Sequence, residues 1–432
     1  MTIRSRRFLF YILFLLFIFT GGGIVFYSQG WRINVENCKL QITDCKIRFQ
    51  KTGAIYIETE PKGVVIEIDG KIFSDRSNII RKGTLVSDLL PKTYKLKITR
   101  AGYLPYYKNL KVESSLVNEL FNVILIPEEL NKKTAVIPKI RGDALIDISN
   151  DNKKFIVKDS AIGLYRLYNL NNLSSILNLN TAFNNFRKET INKIIFHPFD
   201  SNKFIVETKS GLYILDTNRL KSETISKPLP LAWTIKNPNI YYIKKSAADN
   251  QLFLASLNLV VKAESVLFQL PNGTKWPALE VSNSQTKIAL IDNSNDLYVF
   301  NQSDKNLKQI ASSAENFIFS PDDKKIAFLG ANGSINVYFI EDYREGINKK
   351  AGDVIRLNLK SQSTIKNVFW HKDSNHLFVE YPGKTIFAEI DDRPPLNAYN
   401  AAENAANLFY NINDNLLYSI LQNSLFSFQL EK

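Results

Sequence analysis

A phrase of about fourteen residues recurs along this chain. That recurrence constrains the fold more than any other feature, because each copy of a repeated phrase must be one copy of a structural unit. Its clearest form is FIFSPDDKKIAFLG, residues 317–330, with relatives in IDISNDNKKFIVKD from Ile146, IIFHPFDSNKFIVET from Ile194 and VFWHKDSNHLFVEY from Val368. In each, an apolar run enters a polar cluster built from Ser or His, Asp and Asn, and a Lys or Asn leads into a second apolar run. That is the pattern of strand, tight turn, strand.

Aligned on the phrase, units begin near Ala144, Ile191, Leu231, Pro277, Ala314, Ile365 and Asn407, about seven in all, spaced by roughly 37 to 51 residues. This is the spacing of four-stranded propeller blades. A second signature follows each hairpin: GLYRLYNL at Gly163, GLYILDT at Gly211, QLFLASL at Gln251, DLYVFNQ at Asp296, SINVYFI at Ser334, TIFAEID at Thr385 and SLFSFQL at Ser424. No helical periodicity is read in this region, which excludes a helical solenoid. Closing a ring of sheets removes the apolar end faces that an open stack would leave wet. The chain finishes on an apolar stretch, Leu425 to Leu430, that suits an outer or closing strand of the last blade. The units resemble the degenerate repeats of WD40-like and TolB-like propellers, with FSPDDKKIAF from Phe319 the most faithful copy. The Trp-Asp dipeptide of true WD repeats is missing, so no family-specific partner is implied.

The amino terminus is of another kind. Arg4, Arg6 and Arg7 precede a stretch without charge from Phe8 to Gln29, about the length needed to cross the hydrocarbon core of a bilayer. The cationic flank places the start of the chain in the cytoplasm and the rest outside, with Tyr27 and Trp31 at the outer interface. A cleaved signal is the rival reading, with Thr20 to Gly23 as the small residues a peptidase would need; an uncleaved, single-pass signal anchor in the cytoplasmic membrane is preferred. Beyond it Cys38 and Cys45, the chain's two cysteines, are expected to form a disulfide or to remain two thiols.

Residues 54–127 alternate as strands do. Ile55 and Ile57 share a face, Pro61 and Gly63 turn the chain, Asp69-Gly70 makes the next turn, and Tyr94, Leu96 and Ile98 oppose Lys95, Lys97 and Thr99. The ordered set Pro61-Lys62-Gly63-Val64, Ile68-Asp69-Gly70-Lys71, LLPKTYKLKI and Gly102-Tyr103 resembles the PEGA domain, departing from its name-motif at Lys62 and Val64. The resemblance implies a small, non-catalytic, extracytoplasmic β-sandwich. Asp69 and Gly70 themselves are read as plain turn residues.

Chemistry is sparse. His197 and His371 share one position of the phrase, where other units carry Ser149, Ser320 or Asn413, so both are expected to cap turns; His376 is read as an exposed turn residue. No H-E-x-x-H, G-x-S-x-G or phosphate-cradling glycine loop is present, and Asp322-Asp323, Asp391-Asp392 and Asp292 to Asp296 are assigned to turns. Neither catalytic residue, cofactor nor metal is expected. The formal charge of +13 and pI near 9.3 suggest polyanions, but Lys and Asn are spread throughout, and nucleic acid is not expected as a partner. One insertion, IEDYREGINKKAGD at 340–353, is read as a protruding loop. Its Asp342, Tyr343, Arg344, Lys349 and Lys350 are candidates for a partner contact, the alternative being a plain solvated loop.

The resulting expectation is a mainly β chain: a cytoplasmic tail at 1–7, a transmembrane anchor at 8–29, a juxtamembrane segment with the Cys pair at 30–53, a PEGA-like β-sandwich at 54–127, a linker at 128–138 and a propeller of about seven blades at 139–432. Its expected function is that of a non-enzymatic binding or scaffold protein presenting the propeller to an unknown envelope protein or glycan. A propeller-type hydrolase or lyase acting on envelope polysaccharide is the alternative.

Overall fold

The computed structural model describes residues 3–36, 46–78, 80–129, 131–134, 140–359, 364–403, 408–421 and 424–430. Its first element is the helix Ile3–Ser28, whose 26 residues extend about 39 Å at 1.5 Å per residue. That exceeds a hydrocarbon core of about 30 Å. The most apolar eighteen residues within Ser5–Ser28 have a mean hydropathy of 2.4 and are not covered by the rest of the chain.

The helix is tied firmly to the first β unit. The Gly30 carbonyl accepts from both the backbone N–H of Thr52 (2.8 Å) and its hydroxyl (3.0 Å). Arg32 lies over the Tyr27 ring at 3.6 Å, donates to the Tyr27 carbonyl and pairs with Asp88. Between these ties runs a hairpin, Trp31–Glu36 paired with Lys46–Lys51. Cys38 and Cys45 fall in its connection, outside the described residues.

The next unit is a sandwich of two sheets. One has the order Thr84–Leu89, Gly53–Glu60, Val117–Ile124, the last two parallel; the other runs Lys71–Ser74, Val65–Ile68, Thr93–Thr99, Tyr106–Lys111. Alternation buries Ile55, Ile57, Ile66, Ile68, Leu96, Ile98 and Leu110 between them. The turn residues behave as their chemistry dictates. Asp69 (φ 47°) and Gly70 (φ 81°) both take positive φ in a two-residue hairpin loop. The Asp69 carboxylate accepts from Lys95 N–H and Lys92 Nζ, and Gly63 (φ 74°) donates its N–H to Asp75.

Among the described residues, seven four-stranded antiparallel sheets then form the propeller: blade 1 at 144–178, blade 2 at 193–226, blade 3 at 232–269, blade 4 at 278–311, blade 5 at 314–357, blade 6 at 367–403 and blade 7 at 409–429. First strands contact the first strands of the next blade and so lie innermost. Second strands are buried on both faces: Phe155, Ile156 and Val157, or Leu377, Phe378 and Val379, have no accessible surface. Period-two alternation sends successive residues to opposite neighbours. Ile156 packs toward blade 2, whereas Phe155 and Val157 pack toward blade 7. Each of the seven blade junctions has its own apolar cluster, including the one between blades 7 and 1 formed by Leu145, Phe155, Tyr418, Ile420 and Leu425. The ring is closed.

The repeated phrase does more than turn the chain. Its polar residues join first turns across at least five of the seven junctions: Asn150 to the Pro198 carbonyl, Gln285 to Asn239 and Tyr241, the Asp323 carboxylate to the N–H groups of Asn283 and Ser284, Ser374 to Asp322 N–H, and Asn411 to Asn152. The last of these joins blade 7 to blade 1.

Three expectations are corrected. The closing strand is not the chain's last: Ser424–Gln429 is the third strand of blade 7, and its outer neighbour is Asn131–Thr134, drawn from the segment read as a linker. Asn-Lys-Lys-Thr has no apolar alternation, and an outer edge strand needs none. Second, a helix, Leu179–Arg187, joins blades 1 and 2. The Asn178 side chain caps it by accepting from the N–H groups of Asn180 and Thr181, and Leu179, Ala182 and Phe183 form its buried stripe. One helical turn's worth of apolar spacing amid asparagines is too short to register as periodicity.

Third, the 340–353 insertion does not protrude freely. Tyr343 is buried, its hydroxyl donates to Asn375 (2.7 Å) and the Lys325 ammonium lies 3.8 Å over its ring. Lys349 pairs with Asp392, Asp342 accepts from Ala351 N–H, and Lys350 N–H is taken by Asp353. Gly346 lies against Phe121 of the sandwich. Arg344 remains exposed. Five residues of mixed charge suggested a solvent-facing loop, but the aromatic ring at their centre finds a pocket between blades 5 and 6.

Candidate functional site

The inner strands of five blades converge on an open cleft of about 360 Å³ at the channel. Blade 3 supplies Lys236, blade 4 Glu280, blade 5 Ile318 and Phe319, blade 6 Phe369 and Trp370, and blade 7 Phe409 and Tyr410. The aromatic wall is preset. Phe369 stacks between Phe378 (5.1 Å) and Tyr410 (6.3 Å), and Trp370 Nε1 donates to the Ile318 carbonyl. At the rim stand Asn283, Pro321 and Ile412 from the phrase turns. Aromatic faces with one acid and one base are suited to an amphipathic ligand. Burial raises the Glu280 carboxyl above its ordinary pKa, against the pull of Lys236 and Lys193.

Asp147, on the inner strand of blade 1, accepts from Phe196 N–H (2.8 Å) and Ile148 N–H (2.9 Å), linking blade 1 to blade 2. Burial pushes its pKa up from 3.8 to about 6. The folded carboxyl therefore keeps its proton over a range in which the unfolded one has lost it. Stability from this group is complete below about pH 4 and is lost as pH rises through about 6, a change on the order of 2–3 kcal/mol. Urea unfolding of the wild type at pH 4.5 and pH 7, beside Asp147→Asn, should show this acid-side component in the wild type and not in the variant.

A second polar assembly fastens the sandwich to blade 6. Lys108, on the edge strand Tyr106–Lys111, is fully buried; its ammonium meets Glu389 (2.5 Å) and the carbonyls of Asp391, Arg393 and Pro395. Glu389 also accepts from the Tyr106 hydroxyl and Asn397 N–H, and burial raises its pKa. Arg393 forks onto Asp391 and reaches Asn118 and the Glu119 carbonyl. Asn397 exchanges two hydrogen bonds with the Tyr107 backbone.

The histidines divide. His197 caps its turn, accepting from Phe199 N–H through Nδ1. His371 and His376 are both buried, so the reading of His376 as exposed is corrected. Its ring lies flat on Phe387, 4.6 Å away at 7°, because the residue opens a second strand enclosed on both faces. Both imidazoles face Asp373. Although burial opposes it, their charge and hydrogen bonds hold its carboxyl well below the usual range.

Of the other residues singled out in the sequence, Arg6, Arg7, Phe8 and Tyr27 are exposed on the helix, Arg4 lies in its first turns, and Trp31 packs on Phe26. Pro61 is buried beside the exposed Gly63, Gly102 takes φ 76°, and Tyr103 bridges to Pro127. None of these belongs to the cleft. Neither Lys236, Glu280 and the aromatic wall nor Lys108 and Glu389 had a sequence signal, since each set gathers from blades or domains far apart in the chain.

No known family profile matches the chain, and no curated protein matches it. Solved structures similar to it include an oligogalacturonate lyase in complex with manganese, at 11% identity over 70% of this chain and 96% of that one, with a TM-score of 0.47. Another is the hydrazine synthase of Kuenenia stuttgartiensis, at 12% identity over 68% of this chain and 97% of that one, with a TM-score of 0.46.

Proposed function

We propose that this chain is a membrane-anchored binding protein, held by its amino-terminal helix in the cytoplasmic membrane with the sandwich and propeller outside, that takes an envelope protein or glycan at the channel cleft. The observation that carries this reading is the convergence of aromatic side chains from blades 5, 6 and 7, with Lys236 and Glu280, on one open cleft. The PEGA-like sandwich serves as a rigid spacer, because both its ties, to the helix through Gly30 and Arg32 and to blade 6 through Lys108, are hydrogen-bonded. A photoreactive residue at Ile412, on the cleft rim, should capture a discrete partner in intact cells, and Phe369→Ala with Tyr410→Ala should cut capture at least about tenfold. Equal capture from Val266, on an exposed outer strand of blade 3, would count against the cleft. Protease added to spheroplasts should digest the propeller; protection until lysis would reverse the topology.

Glu280 supports a second reading, a hydrolase or lyase acting on envelope polysaccharide. Its raised carboxyl lines the cleft near two lysines, and such a group exchanges protons nearer neutrality. Degradation of an envelope polysaccharide by the wild type and not by Glu280→Gln would favour this reading over simple binding.

A further inference from the structure

The first turn of blade 6 departs from its counterparts in a way that changes its chemistry. In blade 5 the phrase places Ser320, Asp322 and Lys325 together: the Ser320 hydroxyl and the fully buried Lys325 ammonium (2.6 Å) both bind the Asp322 carboxylate. Blade 1 repeats the start of this arrangement, Ser149 donating to Asp151 at 2.6 Å with Lys154 at the third position. In blade 6 the same three positions hold His371, Asp373 and His376. A hydroxyl and an ammonium have been replaced by two imidazoles.

Their geometry is convergent. His371 Nδ1 lies 3.1 Å from Asp373 Oδ1, and His376 Nδ1 lies 2.6 Å from Asp373 Oδ2. All three donor atoms fall within 4.8 Å of one another. Both rings are held in place, His376 by its stack on Phe387 and His371 by Asn415, whose Oδ1 is 3.0 Å from its Nε2. A ligating histidine ordinarily fixes its remote nitrogen with such a partner. The buried ammonium of blade 5 shows that the slot against this carboxylate accommodates a positive charge.

We propose that His371, Asp373 and His376 form a site for a divalent transition metal of the zinc class. Two imidazole nitrogens and a carboxylate oxygen are a ligand set that Zn²⁺ favours. Tetrahedral coordination at about 2.0–2.1 Å separates donor atoms by about 3.3 Å, so on binding the closer imidazole retreats from its 2.6 Å contact and donors lying up to 4.8 Å apart draw together. The ion would brace the blade that carries both the sandwich, through Glu389, and the cleft wall, through Phe369 and Trp370.

The test uses full-length protein in detergent with Cys38 and Cys45 replaced by serine, so that thiolates do not contribute. Zn²⁺ is added, excess is removed by dialysis, and bound metal is counted; Co²⁺ is added in parallel and its visible d–d bands recorded. The expected result is one metal per chain, with Co²⁺ bands of a four-coordinate N/O site and a raised unfolding temperature. The double variant His371→Ser/His376→Lys, which restores the blade 5 phrase, should fold with the same far-UV spectrum and bind no metal. If the unsubstituted histidines retain no more metal than this variant, or if Zn²⁺ leaves the unfolding temperature unchanged, the turn is a proton-sharing His–Asp–His cluster and the proposal is overturned.

Discussion

Replacing Lys108 with methionine should destabilise the chain by about 3–5 kcal/mol, because it strands the Glu389 carboxylate in the junction between sandwich and blade 6. The side chain of Lys108 is fully buried and that of Glu389 nearly so. Removing the ammonium also leaves the carbonyls of Asp391, Arg393 and Pro395 without its hydrogen bonds. Glu389→Gln should cost less, because the ammonium keeps the Asp391 carboxylate at 3.9 Å and its three carbonyl acceptors. The double variant Lys108→Met/Glu389→Leu should cost less than the two single losses added together, since neither charge is left unpaired, although the carbonyls, the Tyr106 hydroxyl and Asn397 N–H still lose their partners. Urea unfolding of the three variants measures this coupling. Single losses below about 1 kcal/mol that simply add would mean that the sandwich does not rest on this pair.

The second large effect concerns the ring itself. Trp276 precedes blade 4 and is buried in the cluster shared by blades 3 and 4, its ring 5.2 Å from Tyr298 in an edge-on contact. Trp276→Ala should cost about 3–5 kcal/mol, the transfer and cavity terms of a large aromatic. Trp276→Phe should cost much less. The indole N–H is buried without a hydrogen-bond partner among the described residues, so phenylalanine gives up volume but no polar contact. Thermal unfolding of both variants separates the two cases; equal, small losses would show that the junctions between blades are not where the stability of the ring resides.

What the sequence made legible were the features written locally. The phrase marks the first hairpin of a blade and the second signature its third strand: GLYILDT at Gly211 becomes Leu212–Asp216, and SINVYFI at Ser334 becomes Ile335–Phe339. Both are buried, and burial imposes apolar runs. Fourth strands were not legible. Lys221–Ser226 and Asn306–Ala311 face solvent on the rim of the ring and need no pattern. Asn131–Thr134 is the extreme case, a strand defined wholly by its partner almost three hundred residues on. The cleft was illegible for a related reason. Phe369 and Tyr410 look like ordinary core aromatics in their own strands, and only ring closure sets them beside Lys236 and Glu280. The equivalence of His371 to Ser320 was readable and suggested a cap; the partner that changes its meaning, His376, occupies the position of Lys325 five residues after it.

The closed ring is tested most directly by a cross-link across its seam. Lys133 and Ser427 are register partners of the outer and third strands of blade 7. With Cys38 and Cys45 replaced by serine, Lys133→Cys/Ser427→Cys should oxidise to an intramolecular disulfide in nearly every chain, visible as faster migration before reduction, and should raise resistance to urea. A control pairing Lys133→Cys with Ser303→Cys, in a blade 4 turn, should not cross-link. Failure of the seam pair to form a disulfide in folded protein, or its formation only between chains, would mean that the chain's own early strand does not close the propeller.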